Sequence, residues 1–233
     1  MATRPILRPG ATIACVAPAS PSFDPPLIAD GVAALERLGY TVIPPADRRD
    51  GHLAGSAGER AAELESAFAD PAVDAVMCLR GGYGSGQLLP LIDVERIAAA
   101  CKAFIGMSDV THLLVPLADA GAPCLWGPML QKHATASGYT VRAFQEALSG
   151  GPYVIGAAPD SPPTAIVPGQ TSAPLTGGTT SILCATLGTP WELRTDGRLL
   201  LLEEVDEEPY RIDRLLTQLG QAGKLAAAAG FVV

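Results

Sequence analysis

The chain has 233 residues, 48% of them hydrophobic and 17% charged, a balance that supports a packed core and excludes disorder. Its 24 acidic residues against 16 Lys and Arg give a formal net charge of -8, with no segregated basic patch, so nucleic acid is not an expected partner. No run of about 18 apolar residues occurs, which excludes a membrane-spanning helix, and MATRPILRPG lacks the apolar core of a secretory signal.

Residues 11–17 (ATIACVA) form a continuous apolar run closed by Pro18 and Pro21, the signature of a buried strand in a parallel sheet. Residues 26–38 place Leu27, Ile28, Val32, Leu35 and Leu38 at helical spacing, with Gly39 as C-cap. TVIPP predicts a second strand, residues 58–70 a second amphipathic helix stopped by Pro71, and residues 73–79 (VDAVMCL) a third strand that runs into RGGYGSG. A helix is expected from near Gln87, a fourth strand in KAFIGM ending at Ser108, and a helix in VTHLLVPLADAG with Pro116 as a kink or break. Strand and helix alternate, which predicts an α/β fold with an open, mainly parallel sheet covered on both faces. Ligands bind such sheets beyond the carboxyl ends of the strands. Both RGGYGSG and Ser108 fall there.

Near residue 150 the texture changes to Gly, Pro, Ser and Thr, as in linkers and irregular β-structure. A helix over 180–188 and an apolar strand over 198–205 follow. PYRIDRLLTQLGQAG then reads as a helix with Ile212, Leu215, Leu216 and Leu219 on one face, and AGFVV as the start of another buried strand. This divides the chain into an α/β domain over 1–150, a linker over 151–164 and a second domain over 165–233 that looks truncated at its C-terminus.

Ser108 lies where a β-rich run switches to a helical one without a loop, in FIGMSDVTHLL. A serine on such a turn projects its hydroxyl from the sheet edge, and the Asp109 amide can face an oxyanion. Val110 departs from the Gly-x-Ser-x-Gly elbow, and a helix N-cap is the alternative role. The Gly81–Gly86 segment is either a tight connection or half of an oxyanion hole; it lacks the spacing of a nucleotide loop. Among the acids Glu203, Glu204, Asp206, Glu207 and Glu208, Glu203 stands where an apolar strand ends, placed to orient a histidine. None of His52, His112 and His133 is a convincing base: His112 reads as packed or on the surface, His133 as part of a polar, exposed segment, and His52 as part of a polar loop. No His, Cys or acid grouping has metal-ligand spacing, and the chemistry requires no cofactor. The cysteines, Cys15, Cys78, Cys101, Cys124 and Cys184, are odd in number and widely spaced. All but Cys101 read as small buried hydrophobes, which suits a reducing, cytoplasmic setting.

Several segments together resemble the LD-carboxypeptidases, the muramoyl-tetrapeptide carboxypeptidases with microcin-immunity hydrolases as relatives. They are APASP, RGGYGSGQLLPLID, FIGMSDVTHLL, WGPML, GGTTSILCATLGTPWEL and LLLLEEVDEEPYRIDRLLTQL, in the family's order over nearly the whole chain. The resemblance implies a Rossmann- or flavodoxin-like domain followed by a smaller β-rich one, and a Ser-Glu-His triad. Ser108 is then the nucleophile, Gly82 and Asp109 supply the oxyanion hole, and Glu203 is the acid, with Glu204 as alternative. The family's histidine comes in a later Gly-His segment, beyond Val233, so this chain alone is expected to be inactive or assisted by another chain. A homodimer is also implied. The expected reaction is release of a terminal D-amino acid from murein peptides, with the 131–170 region setting specificity. The alternatives are hydrolysis of a peptidyl-nucleotide antibiotic and non-catalytic binding of a small anion.

Overall fold

Five short apolar runs form one parallel sheet in the computed structural model, which describes residues 7–154 and 163–233. They are β1 (Thr12–Val16), β2 (Thr41–Ile43), β3 (Ala75–Cys78), β4 (Ala103–Gly106) and β5 (Cys124–Trp126), in the order β2-β1-β3-β4-β5. Cys15 pairs with Met77 and Met77 with Ile105, so the central strands stand in register. Every residue of β3 and β4 is buried. Strands enclosed on both faces have no polar side to alternate with, which is why these segments are apolar throughout.

The covering helices are α1 (Pro25–Arg37), α2 (Ala57–Ala69), α3 (Val94–Ala99), α4 (Thr111–Asp119), α5 (Leu130–His133) and α6 (Gly138–Leu148). Helix α1 packs on α5, while α2, α3 and α4 pack in a row. Ser56 starts α2 with a capping box: its hydroxyl accepts from the Glu59 amide and the Glu59 carboxylate accepts from the Ser56 amide. Helix α2 then buries Leu64 and Phe68 against the sheet.

Three local expectations change. The helix from Gln87 is only a 3-10 turn over Ser85–Leu88, because Pro90 lacks the N–H that would extend it. Asp93, whose side chain accepts from the Arg96 amide, begins α3 afresh. Pro116 does not end α4, since Ala120 still bonds back to the Pro116 carbonyl. Within the 131–170 region expected to set specificity, most of α5 and all of α6 are regular helix. Strand β5, which no local sequence pattern announces, is three half-buried residues beside β4.

The chain divides into two compact units, Met1–Val154 and Ile155–Val233. Much of the expected 151–164 linker, residues 155–162, lies outside the described residues. The second unit holds a parallel sheet in the order β6-β7-β8, formed by Leu175–Thr179, Leu199–Glu203 and Gly230–Val232. It carries α7 (Thr180–Ala185), α8 (Pro209–Gln221) and α9 (Lys224–Ala227), so helices alternate with strands here as well. A β-carbon on Gly177 would stand 2.1 Å from the Leu201 carbonyl oxygen, and only glycine permits that approach of β6 to β7.

Cys15, Cys78 and Cys184 are buried, Cys124 partly so and Cys101 exposed, all as free thiols. Among the described residues no helix is long and apolar enough to cross a membrane.

Candidate active site

Strand β1 lies between β2 and β3, and the chain reaches β2 before crossing back to β3. The connections therefore leave in opposite directions and open a crevice at the carboxyl ends of β1 and β3. A cleft of about 530 Å³ occupies this place, walled by Ala17 after β1, Leu79 after β3, and residues of α1 and the 44–49 loop. Ser108 is not among its walls. Ser108 lies one strand over, after β4.

Strand β4 ends at Gly106, where a β-carbon would meet the Val110 side chain at 2.6 Å, so glycine lets the chain fold back at once. Met107 is extended and Ser108 follows with φ +61, left-handed backbone that a non-glycine residue occupies only at a cost of about 1–3 kcal/mol. A 3-10 turn over Ser108–Val110 leads into α4. Ser108 is half-buried, and its hydroxyl makes no hydrogen bond among the described residues. It caps neither the turn nor α4. The capping alternative is not what is observed.

Gly81 lies directly against this serine: a β-carbon there would stand 2.9 Å from Ser108 Cβ, 3.1 Å from its Oγ and 3.4 Å from the Asp109 nitrogen. Gly82 has φ +107, and its β-carbon would strike Ser20 Oγ at 2.4 Å. Ser20 fastens the two loops, donating its amide to the Gly81 carbonyl at 3.4 Å and accepting from the Tyr83 amide at 3.2 Å. The Gly82 amide donates no hydrogen bond among the described residues. Asp109 is buried; Ser85 donates its amide to Asp109 Oδ2 at 2.9 Å and its hydroxyl to the Asp109 carbonyl at 2.7 Å.

Beneath this loop lies Arg60, fully buried. It donates to the carbonyls of Gly55, Pro18 and Gly84 and to Gln87 Oε1, at 3.2, 2.6, 2.8 and 2.6 Å. Burial lowers the guanidinium pKa and the Asp109 carboxylate opposes that. Sequence reasoning missed Arg60, Ser20 and the contact role of Gly81. The one available signal was an arginine inside the apolar face of α2.

No histidine hydrogen-bonds the serine hydroxyl among the described residues. His112 is half-buried, its ring 3.1 Å from where a Gly86 β-carbon would be, and burial lowers its pKa while Asp109 pulls it up. His133 is buried rather than exposed, its ring edge-on to Phe144 at 4.7 Å, because α5 and α6 fold together around it. Burial pushes its pKa down to about 4, and the Pro128 carbonyl offsets part of that shift. His52 is exposed beside the Tyr83 ring, 5.6 Å between centroids.

In the second unit Glu203 ends β7, and its Oε2 accepts from the Thr179 hydroxyl at 2.7 Å. Glu204 Oε1 accepts from the Ser181 amide at the start of α7 at 2.5 Å. No group of three or more His, Cys, Asp or Glu among the described residues could hold a metal ion.

The pattern of the LD-carboxypeptidase N-terminal domain matches residues 13–127 and that of the C-terminal domain matches 172–233. This chain belongs to the LD-carboxypeptidase family. A probable murein peptide carboxypeptidase of Bacillus subtilis is 39% identical over 97% of the chain and 72% of its own length. The murein tetrapeptide carboxypeptidase of Pseudomonas aeruginosa is 35% identical over 72% of this chain and 57% of its own. Among solved structures, muramoyltetrapeptide carboxypeptidase from Oxalobacter formigenes superposes with a TM-score of 0.82 at 29% identity, over 95% of this chain and 75% of that one. The microcin C7 self-immunity protein shares the fold, with a TM-score of 0.84 at 22% identity over 99% of this chain and 79% of its own. The LD-carboxypeptidase match places the elbow turn and the glycine loop in the N-terminal pattern and the β7 acids in the C-terminal one.

Proposed function

We propose that this chain is the serine-nucleophile portion of a carboxypeptidase that removes a terminal D-amino acid from murein peptides, in the recycling of cell-wall fragments. The observation that carries the reading is Ser108 itself. It is held in left-handed backbone with an uncommitted, accessible hydroxyl, against Gly81 and beside the unspent Gly82 amide. In the reaction Ser108 Oγ attacks the carbonyl carbon of the last amide, and the Gly82 and Asp109 amides take up the negative charge on the carbonyl oxygen. Collapse of the tetrahedral species expels the D-amino acid, and water then frees the shortened peptide from the serine.

A base must take the serine proton, and the family resemblance implies Glu203 as the acid that orients it. No histidine of this chain accepts a hydrogen bond from Ser108 among the described residues. Family resemblance alone supports a homodimer, and the free cysteines support a reducing, cytoplasmic location.

The test is treatment with a serine-directed phosphonate, read by mass spectrometry, beside release of the D-amino acid from a murein tetrapeptide. Wild type is expected to take up one phosphonate on Ser108 and to release the amino acid, and Ser108→Ala to do neither. Equal behaviour of the two proteins would sink the proposal.

A further inference from the structure

An acidic chain with net charge -8 has carboxylates to spare for its cations. Arg48 pairs with Glu63, Arg96 with Glu65, Arg211 with Glu207 and Lys224 with Glu192. Arg49 and Arg80 make no ion pair among the described residues. They stand together: their guanidinium carbons lie 5.2 and 5.5 Å from the centroid of one ring, that of Phe23, which is 58% exposed. Each spends a single donor, Arg49 Nη2 on the Ser22 carbonyl at 2.5 Å and Arg80 Nη1 on the Pro21 carbonyl at 3.3 Å. A guanidinium has five N–H donors in a planar fork that fits a carboxylate, so most of this capacity is free. The Phe23 ring is in contact with both cations.

Position gives the pair its meaning. Arg80 precedes Gly81, the residue in contact with Ser108, and Arg80 Nη2 lies 3.8 Å from where a Gly82 β-carbon would stand. The free edge of a cation thus borders the glycine assigned to the oxyanion. In a peptide cut at its last amide, the terminal carboxylate follows the scissile carbonyl by one residue, about 3.8 Å from one Cα to the next.

We infer that Arg80, assisted by Arg49 on the shared Phe23 ring, binds the free terminal carboxylate of the peptide and so restricts the enzyme to the last bond. This rests on the carboxypeptidase reading. A peptide that continues past the site, or ends in an amide, offers no charge to the pair and leaves the guanidinium unsatisfied.

The experiment compares binding of a murein tetrapeptide with a free terminal carboxylate and of the same tetrapeptide as its terminal amide, by calorimetry. It uses wild type, Arg80→Gln, Arg80→Lys and Arg49→Gln. In parallel, N-acetyl-D-alanine, its amide and inorganic phosphate are titrated while the arginine Nε–Hε NMR signals are followed. Wild type is expected to bind the acid at least about tenfold tighter than the amide. Arg80→Gln should erase that preference and leave amide binding unchanged, Arg80→Lys should recover part of it, and Arg49→Gln should reduce it. N-acetyl-D-alanine should move the Arg80 signal, and its amide should not. Equal affinities for acid and amide in wild type overturn the inference, as does an Arg80→Gln protein that loses affinity for both alike. Phosphate binding in preference to N-acetyl-D-alanine overturns it too. If neither tetrapeptide binds while N-acetyl-D-alanine still moves Arg80, the carboxylate site stands and the murein reading falls.

Discussion

The backbone of Ser108, not its side-chain type, separates it from the other serines of the chain. Its φ is +61, and Gly81 lies against its side chain. A Gly81→Ala substitution inserts a methyl 2.9 Å from Ser108 Cβ. Displacing a nucleophile by a fraction of an ångström to 1 Å costs about 100-fold in turnover, and the overlap costs about 1–3 kcal/mol of folding stability. Phosphonate labelling rates and chemical denaturation check the two effects separately. His133 gives a second residue-scale expectation. Its folded pKa, about 4, lies below the ordinary value of 6.5, so below pH 6.5 the unfolded chain binds its proton more readily. Stability therefore falls as pH drops through the window from about 6.5 to 4, by about 3 kcal/mol in all. Denaturation curves at pH 7, 5.5 and 4.5 should show this slope, and His133→Phe should flatten it. A serine between a strand and a helix was legible as a candidate from sequence. The burial of His133 was not, because it depends on two helices that no strong apolar period announced.

Among the elements, the RGGYGSG segment matters most, since it presents Gly81 and Gly82 to the elbow turn. Glycines give it conformational freedom, and Arg60 removes that freedom by tying Gly84 to the loops carrying Pro18 and Gly55. Arg60→Leu strands buried carbonyls without partners and is expected to cost about 3 kcal/mol or more. Amide exchange at Tyr83 and Ser85 should quicken beyond what the global loss of stability explains, as hydrogen-exchange mass spectrometry would resolve. Sequence periodicity placed β1, β3, β4, α1 and α2 to within a residue or two, because each holds an unbroken apolar run or stripe. It failed after Gln87, where a proline stopped a helix the apolar spacing allowed, and at β5, three residues too few to carry any period.

At the scale of the molecule, the two units differ in how much apolar side chain they enclose. Among its described residues, the buried hydrophobics of the second are Leu183, Cys184, Leu193, Leu200, Leu202 and Leu219, and α8 buries Leu219 alone. Phe231 and Val232 on β8 stay exposed. The first unit seals whole strands and both helix layers. Residues 1–154 expressed alone should give a cooperative thermal melt with helical circular dichroism, whereas 155–233 alone should show none, being too small a core for its chain entropy. By itself the sequence determined the alternation of strand and helix, the parallel sheet and the serine at its edge, because those properties are written in neighbours a few positions apart. Only the tertiary structure decided that Ser108 is held in left-handed backbone, that Gly81 touches it, that Arg60 locks the loop, and that Arg49 and Arg80 share one ring. Each of those facts joins residues far apart along the chain, brought together by the order in which the strands cross the sheet.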